Sequence, residues 1–220
     1  MQERKGELKL AILTGDLTQR AKKTEFISAV TFMNSLPCPL FVVPGNHDVP
    51  LYNLFLRFFS PYKKFLRYIG PFAKNTFEDD DLAIYGPWTL DRFTVKEGRV
   101  SEDDLEKARK FFSKIPSHKI RIVASHHPLE KMKNVKNVLA LSPHFILSGH
   151  EHQSEIRGIG PRESFPVILA AGTSTSNRTR SEANSFNLLS FENNTVHTQV
   201  FVYQDQSKSF ECIHQKDFFL

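Results

Sequence analysis

The sequence predicts an α/β fold, on three observations. Five short apolar runs, rich in β-branched residues and without alternation, are typical of strands buried on both faces; they are residues 10–13, 40–43, 120–124, 145–147 and 167–171. Helical patterns lie between some of these runs, and alternation of strands and helices favours an α/β sheet. The length of 220 residues, 40% of them hydrophobic, allows one domain with its own core. We therefore expect residues 1–220 to form a single domain.

Two segments have the pattern of helices. Residues 24–36 are predicted to place four apolar side chains on one face: Phe26, Ile27, Val30 and Met33. Residues 101–114 begin with Ser101, a favourable N-cap residue, and three acidic residues follow it in the first turn, where the helix dipole favours negative charge.

The pattern changes after residue 167. The stretches "FPVILAAGTSTS", "NSFNLLSFENN" and "TVHTQVFVYQ" are typical of successive strands, and the pair Asn193 and Asn194 predicts a tight turn between the last two.

Composition limits the partners. The net charge of +5 and the pI near 9.2 suit an anionic small substrate. The basic residues are spread along the chain, so a nucleic-acid partner is not favoured. No apolar run approaches the length of a membrane span, and the first ten residues lack a hydrophobic signal core. Cys38 and Cys212 are far apart, which favours a reduced, cytoplasmic location; the sequence does not define an oligomeric state.

The strand runs share a second feature at their ends. Each stops in glycine or serine followed by residue types that bind metals or phosphate: "TGD", "PGNHD", "SHHP", "SGHEH" and "AGTSTSNRTR". Ligands of open α/β sheets gather beyond the carboxyl ends of the strands. Asp, Asn and His are donors that suit Mn, Fe or Zn, and the absence of thiolate disfavours a structural zinc site. The sequence thus predicts a metal centre in which the Asp16 carboxylate can bridge two cations.

The motifs "GD", "GNHD", "HHP" and "GHEH", in this order, resemble those of the calcineurin-like metallophosphoesterases, and most of all the branch that contains class III cyclic-nucleotide phosphodiesterases. The resemblance covers roughly residues 8–205. It implies a four-layer α/β/β/α sandwich of two mixed sheets. It also implies two divalent metal ions (Mn, Fe or Zn) that activate a hydroxide for hydrolysis of a small phosphate ester, above all a phosphodiester.

The resemblance assigns a set of metal ligands, which are Asp16, Asn46, His126, His150 and His152. Asp16 would bridge the two ions, His152 would join the first, and the other three would bind the second. His47 would stay uncoordinated and stabilise charge or protonate the leaving oxygen, and we infer that Asp48 orients it.

Three further residues are expected on the substrate side. His127 follows the ligand His126 and is interpreted as a neighbour of the metal ligands or a rim residue. Arg178 and Arg180 lie in the polar loop after the run at 167–171, where an arginine suits a substrate phosphate or carboxylate; solvated arginines are the alternative.

The sequence departs from the family pattern in one respect. The family's first motif, D-x-H, does not occur before Asp16, and the first histidine is His47. The first metal would then keep only Asp16 and His152 and be weakly held. We expect a domain that lacks its first strand, and three explanations stay open: a shortened form of an active parent, which the intact remaining motifs favour, a degenerate protein, or a mononuclear variant.

Alternative interpretations follow. A non-catalytic interaction module on the same fold is the main rival, and a nucleotide-lipid pyrophosphatase of the same superfamily is another. Taken singly, Asp16 could be a helix cap, "PGNHD" a turn and His150 a structural histidine. Residues 51–70 interleave aromatic and basic side chains; an amphipathic helix pair with its aromatics inward is favoured over a substrate-facing cap, a partner site or a nucleic-acid stacking surface.

Overall fold

Eleven strands and five helices make up the described part of the chain in this computed structural model, which covers residues 8–50, 54–91, 97–160, 165–175 and 183–220. The helices are α1 (Lys23–Ser35), α2 (Leu54–Phe59), α3 (Lys63–Ile69), α4 (Glu102–Phe112) and α5 (Val135–Leu139). The strands are β1 (Ala11–Leu13), β2 (Leu40–Val42), β3 (Thr76–Glu78), β4 (Leu82–Tyr85), β5 (Ile120–Ala124), β6 (Phe145–Ser148), β7 (Glu155–Gly158), β8 (Val167–Ala170), β9 (Ser185–Glu192), β10 (Thr195–Gln204) and β11 (Ser209–Phe219).

The strands form three hydrogen-bonded groups. The largest is a mixed sheet in the order β3-β4-β5-β6-β8-β7, with parallel pairing from β4 to β8 and antiparallel strands at both edges. β1 pairs in parallel with β2, and β9, β10 and β11 form an antiparallel sheet.

Three apolar clusters define the layers. One lies between the strand groups and joins side chains of the six-stranded sheet, such as Ile122 and Phe145, to Phe41 of β2 and to Val196 and Phe218 of the antiparallel sheet. A second packs α4 and α5 on the other face of the six-stranded sheet. The third packs α1 and α3 over β1 and β2. This is the four-layer α/β/β/α arrangement, and the predicted fold class is confirmed.

The sequence located most of the buried strands but did not predict β4, whose four residues are all buried. All five apolar runs are strands, and the predicted turn between β9 and β10 has Asn193 at φ 47° and Asn194 at φ 63°, the left-handed conformation that a tight hairpin turn requires. Ser101 caps α4 as predicted, because its Oγ accepts a hydrogen bond from the Asp104 N–H at 3.0 Å.

One helix prediction was partly wrong. In α1, Phe26 and Met33 are buried, but Ile27 is 47% exposed. Its position on the helix faces away from β1 and β2. None of the described helices has both the length and the apolar character needed to cross a bilayer.

Candidate metal centre

The loops after β1 and β2 touch each other through their backbones. Gly15 and Asp16 both have positive φ, 86° and 55°. A Cβ on Gly45 would lie 2.2 Å from the Asp16 backbone nitrogen, and one on Gly15 would lie 2.6 Å from the Gly45 nitrogen. Only glycine permits this approach. The contact brings Asp16 beside Asn46 and His47, and the His47 N–H donates to Asp16 Oδ1 at 2.9 Å.

His126, which follows β5, lies at the centre of the site. Its ring is 1% exposed, and its Nε2 is 2.8 Å from Asn46 Oδ1, 3.1 Å from His150 Nδ1 and 3.4 Å from Asp16 Oδ1. These four atoms come from the loops after β1, β2, β5 and β6. The structure therefore brings together four of the five predicted ligands.

The protonation state of His126 follows from its other nitrogen. Nδ1 lies 2.8 Å from the Thr14 carbonyl oxygen, which only accepts, so Nδ1 carries the proton. Burial lowers the pKa of His126, more than Asp16 raises it, and the ring is neutral. Nε2 then presents a lone pair to Asp16 Oδ1 and Asn46 Oδ1, and with the Asn46 amide in this orientation none of the three atoms carries a hydrogen to share.

A divalent cation explains the contact. Ligand atoms that bind one ion at about 2.0–2.2 Å lie about 2.8–3.6 Å from each other, and the three measured separations fall in this range. The donor set of carboxylate, amide oxygen and two imidazoles fits Mn, Fe or Zn. Each of the three donor atoms thus lies at a distance from His126 Nε2 at which the two could share one divalent ion.

His127 also belongs to this group of rings. It is 3% exposed, its ring centroid lies 4.6 Å from that of His150, and one nitrogen each of His126, His127 and His150 lie within 4.8 Å of one another. Its Nδ1 is 2.8 Å from Thr89 Oγ1, whereas its buried Nε2 has no hydrogen-bond partner among the described residues. Burial lowers the pKa of His127 to about 3, so the ring is neutral. Of the two predicted positions, its placement is that of a neighbour of the metal ligands rather than of a rim residue.

His47 and Asp48 lie beside the cluster in a different relation from the predicted one. The His47 Nδ1 donates to the Gln19 carbonyl oxygen at 2.8 Å. Asp48 is fully buried and accepts hydrogen bonds from the backbone N–H groups of Thr18 and Gly45, at 2.8 and 2.9 Å. The inference that Asp48 orients the His47 ring is therefore wrong. Asp48 instead holds the two loops together, and burial, with the nearby Asp16 charge, raises its pKa to about 7.

The remaining predicted residues are less central. His152 Nδ1 is 2.7 Å from Thr173 Oγ1, and His152 is near enough that its charge lowers the pKa of both His126 and His150. Arg178 and Arg180 fall outside the described residues.

Sequence reasoning missed the residues that hold the site in place. Thr14 and Gln19 act through backbone carbonyls, which leave no signal in a sequence. Thr89 holds His127 from 38 positions away, and a Cβ on Gly98 would lie 2.4 Å from the His127 ring. Only the doublet "HH" could have pointed to His127.

The fold and the donor set define an α/β/β/α protein with a site for a divalent metal. The family model of the calcineurin-like phosphoesterases matches residues 3–154, more than half of the chain. The chain belongs to this family, and the predicted resemblance is confirmed.

Similarity to solved structures is distant. Vps29 of Chaetomium thermophilum is 14% identical, with a TM-score of 0.49 over 99% of this chain and 86% of that one. A conserved uncharacterized protein of Streptococcus pneumoniae TIGR4, described as a predicted phosphoesterase, is 11% identical, with a TM-score of 0.48 over 100% and 86%. Vacuolar protein sorting 29 of Cryptosporidium parvum is 14% identical, with a TM-score of 0.46 over 100% and 87%. No curated protein sequence matches the chain significantly.

Proposed function

We propose that the protein hydrolyses phosphate esters with bound divalent metal, and that its substrates are small phosphodiesters. The observation that carries the proposal is the convergence of Asp16, Asn46 and His150 donor atoms on His126 Nε2, within 2.8–3.4 Å. Membership of the calcineurin-like phosphoesterase family supports the reaction class.

Each residue has a distinct part in this proposal. A divalent ion at the cluster supplies positive charge for the phosphate oxygens and lowers the pKa of a water. Asp16, Asn46, His126 and His150 hold that ion, and Thr14 fixes His126 so that Nε2 points into the cluster. The bond from His47 Nδ1 to Gln19 leaves Nε2 as the nitrogen that can serve the leaving oxygen, to which it gives a proton when both ring nitrogens carry one.

We propose that the two metal positions differ in how tightly they hold an ion. Four protein donors preorganise the ion at His126. A second ion would take Asp16 and His152, and two protein ligands hold an ion more weakly than four. We propose that Arg178, Arg180 and the neutral His127 contact the substrate, and that the protein works in the cytoplasm.

Metal content and hydrolysis together test the proposal. The chain is loaded with Mn²⁺, desalted, analysed for metal and assayed with bis(p-nitrophenyl) phosphate. We expect about one tightly held ion per chain and measurable hydrolysis. Asn46→Ala and His150→Ala should each lose the metal and the activity while circular dichroism shows a retained fold.

His197→Ala is a matched control, because His197 pairs with Asp217 on the antiparallel sheet, away from the cluster. It should keep both metal and activity. Metal binding without hydrolysis of any phosphodiester tried would instead support the non-catalytic interaction module, and normal metal content in Asn46→Ala would show that the cluster is not the metal site.

A further inference from the structure

The net positive charge of the chain comes from one segment of its sequence. Residues 17–74 contain eight lysines and arginines but only two acidic residues, Glu25 and Asp48, so their net charge is +6; the rest of the chain has 21 basic and 22 acidic residues, a net charge of −1. Asp48 is buried, and the Glu25 carboxylate accepts from the backbone N–H groups of Arg20 and Lys22. Within the segment itself, the bases therefore meet little compensating charge.

Large apolar side chains are exposed in the same segment. Phe55 and Phe59 of α2 are 70% and 73% exposed, and Ile27 and Leu66 are each 47% exposed. Phe55 and Phe59 are one helical turn apart, with ring centroids at 4.8 Å. The prediction of an amphipathic helix pair with its aromatics inward is thus wrong for these two, whereas Phe65 is fully buried as expected.

Exposed bases follow the aromatic residues of α2 along the chain. Lys63, Lys64 and Arg67 of α3 are exposed, and none of the ion pairs within the described ranges involves them. We define the basic-aromatic face as Ile27, Phe55, Phe59, Lys63, Lys64, Leu66 and Arg67.

The basic-aromatic face is fixed to the body of the protein. The buried Arg57 of α2 donates from Nη2 to the Asp91 carbonyl oxygen at 3.0 Å. On α3, Phe65 packs edge-on against Trp88, and Ile69 is fully buried. Phe55 and Phe59 are therefore exposed on an anchored helix rather than on a detached one.

The face is also close to the metal centre. Lys64 Nζ donates to the Ala21 carbonyl oxygen at 2.9 Å, and two residues earlier the Gln19 carbonyl holds the His47 ring. One loop, residues 19–21, thus contacts both α3 and the proposed proton donor. Whatever binds this face therefore lies close to the loop that holds His47.

We propose that the basic-aromatic face binds the surface of an anionic lipid bilayer. Phenylalanine side chains partition into the interface between headgroups and acyl chains, and lysine and arginine are attracted to anionic headgroups. This inference goes beyond the proposed hydrolysis and does not depend on it. Single-stranded nucleic acid fits less well, because Phe55 and Phe59 contact each other with their rings tilted by 40° and Ile27 and Leu66 offer no ring to a base.

Vesicle sedimentation of the whole chain tests the proposal. Vesicles of phosphatidylcholine alone are compared with vesicles that also contain phosphatidylglycerol, at low and at high salt. We expect binding to the anionic vesicles at low salt, weak binding to the neutral ones, and a loss of binding as salt screens the charges.

Two double variants separate the contribution of the aromatic side chains from that of the basic ones. Phe55→Ser with Phe59→Ser, and Lys63→Glu with Arg67→Glu, should each weaken partitioning to anionic vesicles by at least about tenfold. Matched controls are Ile213→Ser, which removes a 60% exposed apolar side chain from β11, and Lys110→Glu on the exposed face of α4. Both controls should bind like the unchanged protein.

Several results would overturn the proposal. They are equal binding to neutral and anionic vesicles, full binding by the Phe55→Ser, Phe59→Ser variant, and retention of an oligonucleotide without retention of vesicles. Hydrolysis of bis(p-nitrophenyl) phosphate in solution is measured in parallel and should be unchanged in all four variants. Failure of vesicle binding is thereby distinguished from failure of the proposed activity.

Discussion

At the scale of single residues, the site depends on how one histidine ring is held. Thr14 fixes the tautomer of His126 through a backbone carbonyl, and a lone pair is therefore presented to Asn46 and Asp16. An outer partner of this kind orients the ring and makes the coordinating nitrogen more basic. The chemistry of the ligand is thus set by a residue whose side chain does not take part.

His47 is expected to serve turnover rather than metal binding. Its ring is held by Gln19, and its nitrogens are not among the atoms that converge on His126. We expect His47→Ala to lower kcat by about 10²–10⁴-fold, as removal of a general acid does, with metal content unchanged. Metal analysis beside steady-state kinetics checks this. A parallel loss of metal would mean that His47 is a ligand and that its proposed role is misplaced.

The motifs were sufficient to predict which side chains come together in the site. They did not predict all of the hydrogen bonds that hold those side chains in place. Asp16, Asn46, His126 and His150 follow buried strands, and the carboxyl ends of such strands meet at one edge. His127 and Asp48 depend on partners elsewhere in the chain: a threonine 38 positions away and two backbone N–H groups. Contacts of that kind arise from tertiary packing and leave no local pattern.

At the scale of elements, the start of α4 is the clearest case of a local signal that specifies structure. Ser101 Oγ accepts from the Asp104 N–H and donates to the Asp104 carboxylate at 2.7 Å. We expect Ser101→Ala to lower the free energy of unfolding by about 1 kcal/mol, the usual cost of losing an N-cap. Urea denaturation measures the change.

Ser113→Ala provides the comparison at the other end of the same helix. The Ser113 hydroxyl donates to the Lys110 carbonyl oxygen in the last turn and does not cap a helix N-terminus. The Ser113→Ala substitution should lower the free energy of unfolding clearly less than Ser101→Ala does. Equal costs would show that the loss reflects removal of any hydroxyl near α4 rather than the cap.

Strands without an apolar run were not predicted. β3 and β7 are edge strands with mostly accessible side chains, and β11 has nine exposed residues out of eleven. Their pairing is specified by neighbouring strands rather than by their own composition, which is why β propensity depends on context. The buried strands β5, β6 and β8 carry their signal in the sequence because both faces must be apolar.

At the scale of the whole molecule, the metal centre lies where the strand groups meet. Asp16 and Asn46 follow β1 and β2, whereas His126 and His150 follow β5 and β6 of the six-stranded sheet. A metal ion held by all four residues would therefore tie two layers together. Because an ion that binds only the folded state stabilises it, metal binding would then be coupled to the packing of the layers.

The opposite end of β6 has a histidine that couples the same layers to pH. His144 precedes β6, its Nδ1 accepts the Arg121 N–H at 3.0 Å, and its ring lies edge-on to Phe165 at 5.4 Å between centroids. Phe165 in turn contacts Phe218 of β11. Burial, and then the charge of Arg121, lower the pKa of His144 below its ordinary value of 6.5.

Acid should therefore weaken the metal-free protein in part through His144. As pH falls below about 6.5 the unfolded chain takes up a proton on His144 that the folded chain does not, so the free energy of unfolding decreases, by at most about 1.4 kcal/mol per pH unit. In His144→Asn the amide oxygen replaces Nδ1 as acceptor and cannot titrate. Urea denaturation in chelator, from about pH 7.5 to 5.5, should give a shallower pH dependence for this variant. If the free energy of unfolding had the same pH dependence in both proteins, His144 would be protonated equally in the folded and unfolded chains. The effect of acid on stability would then come from other residues.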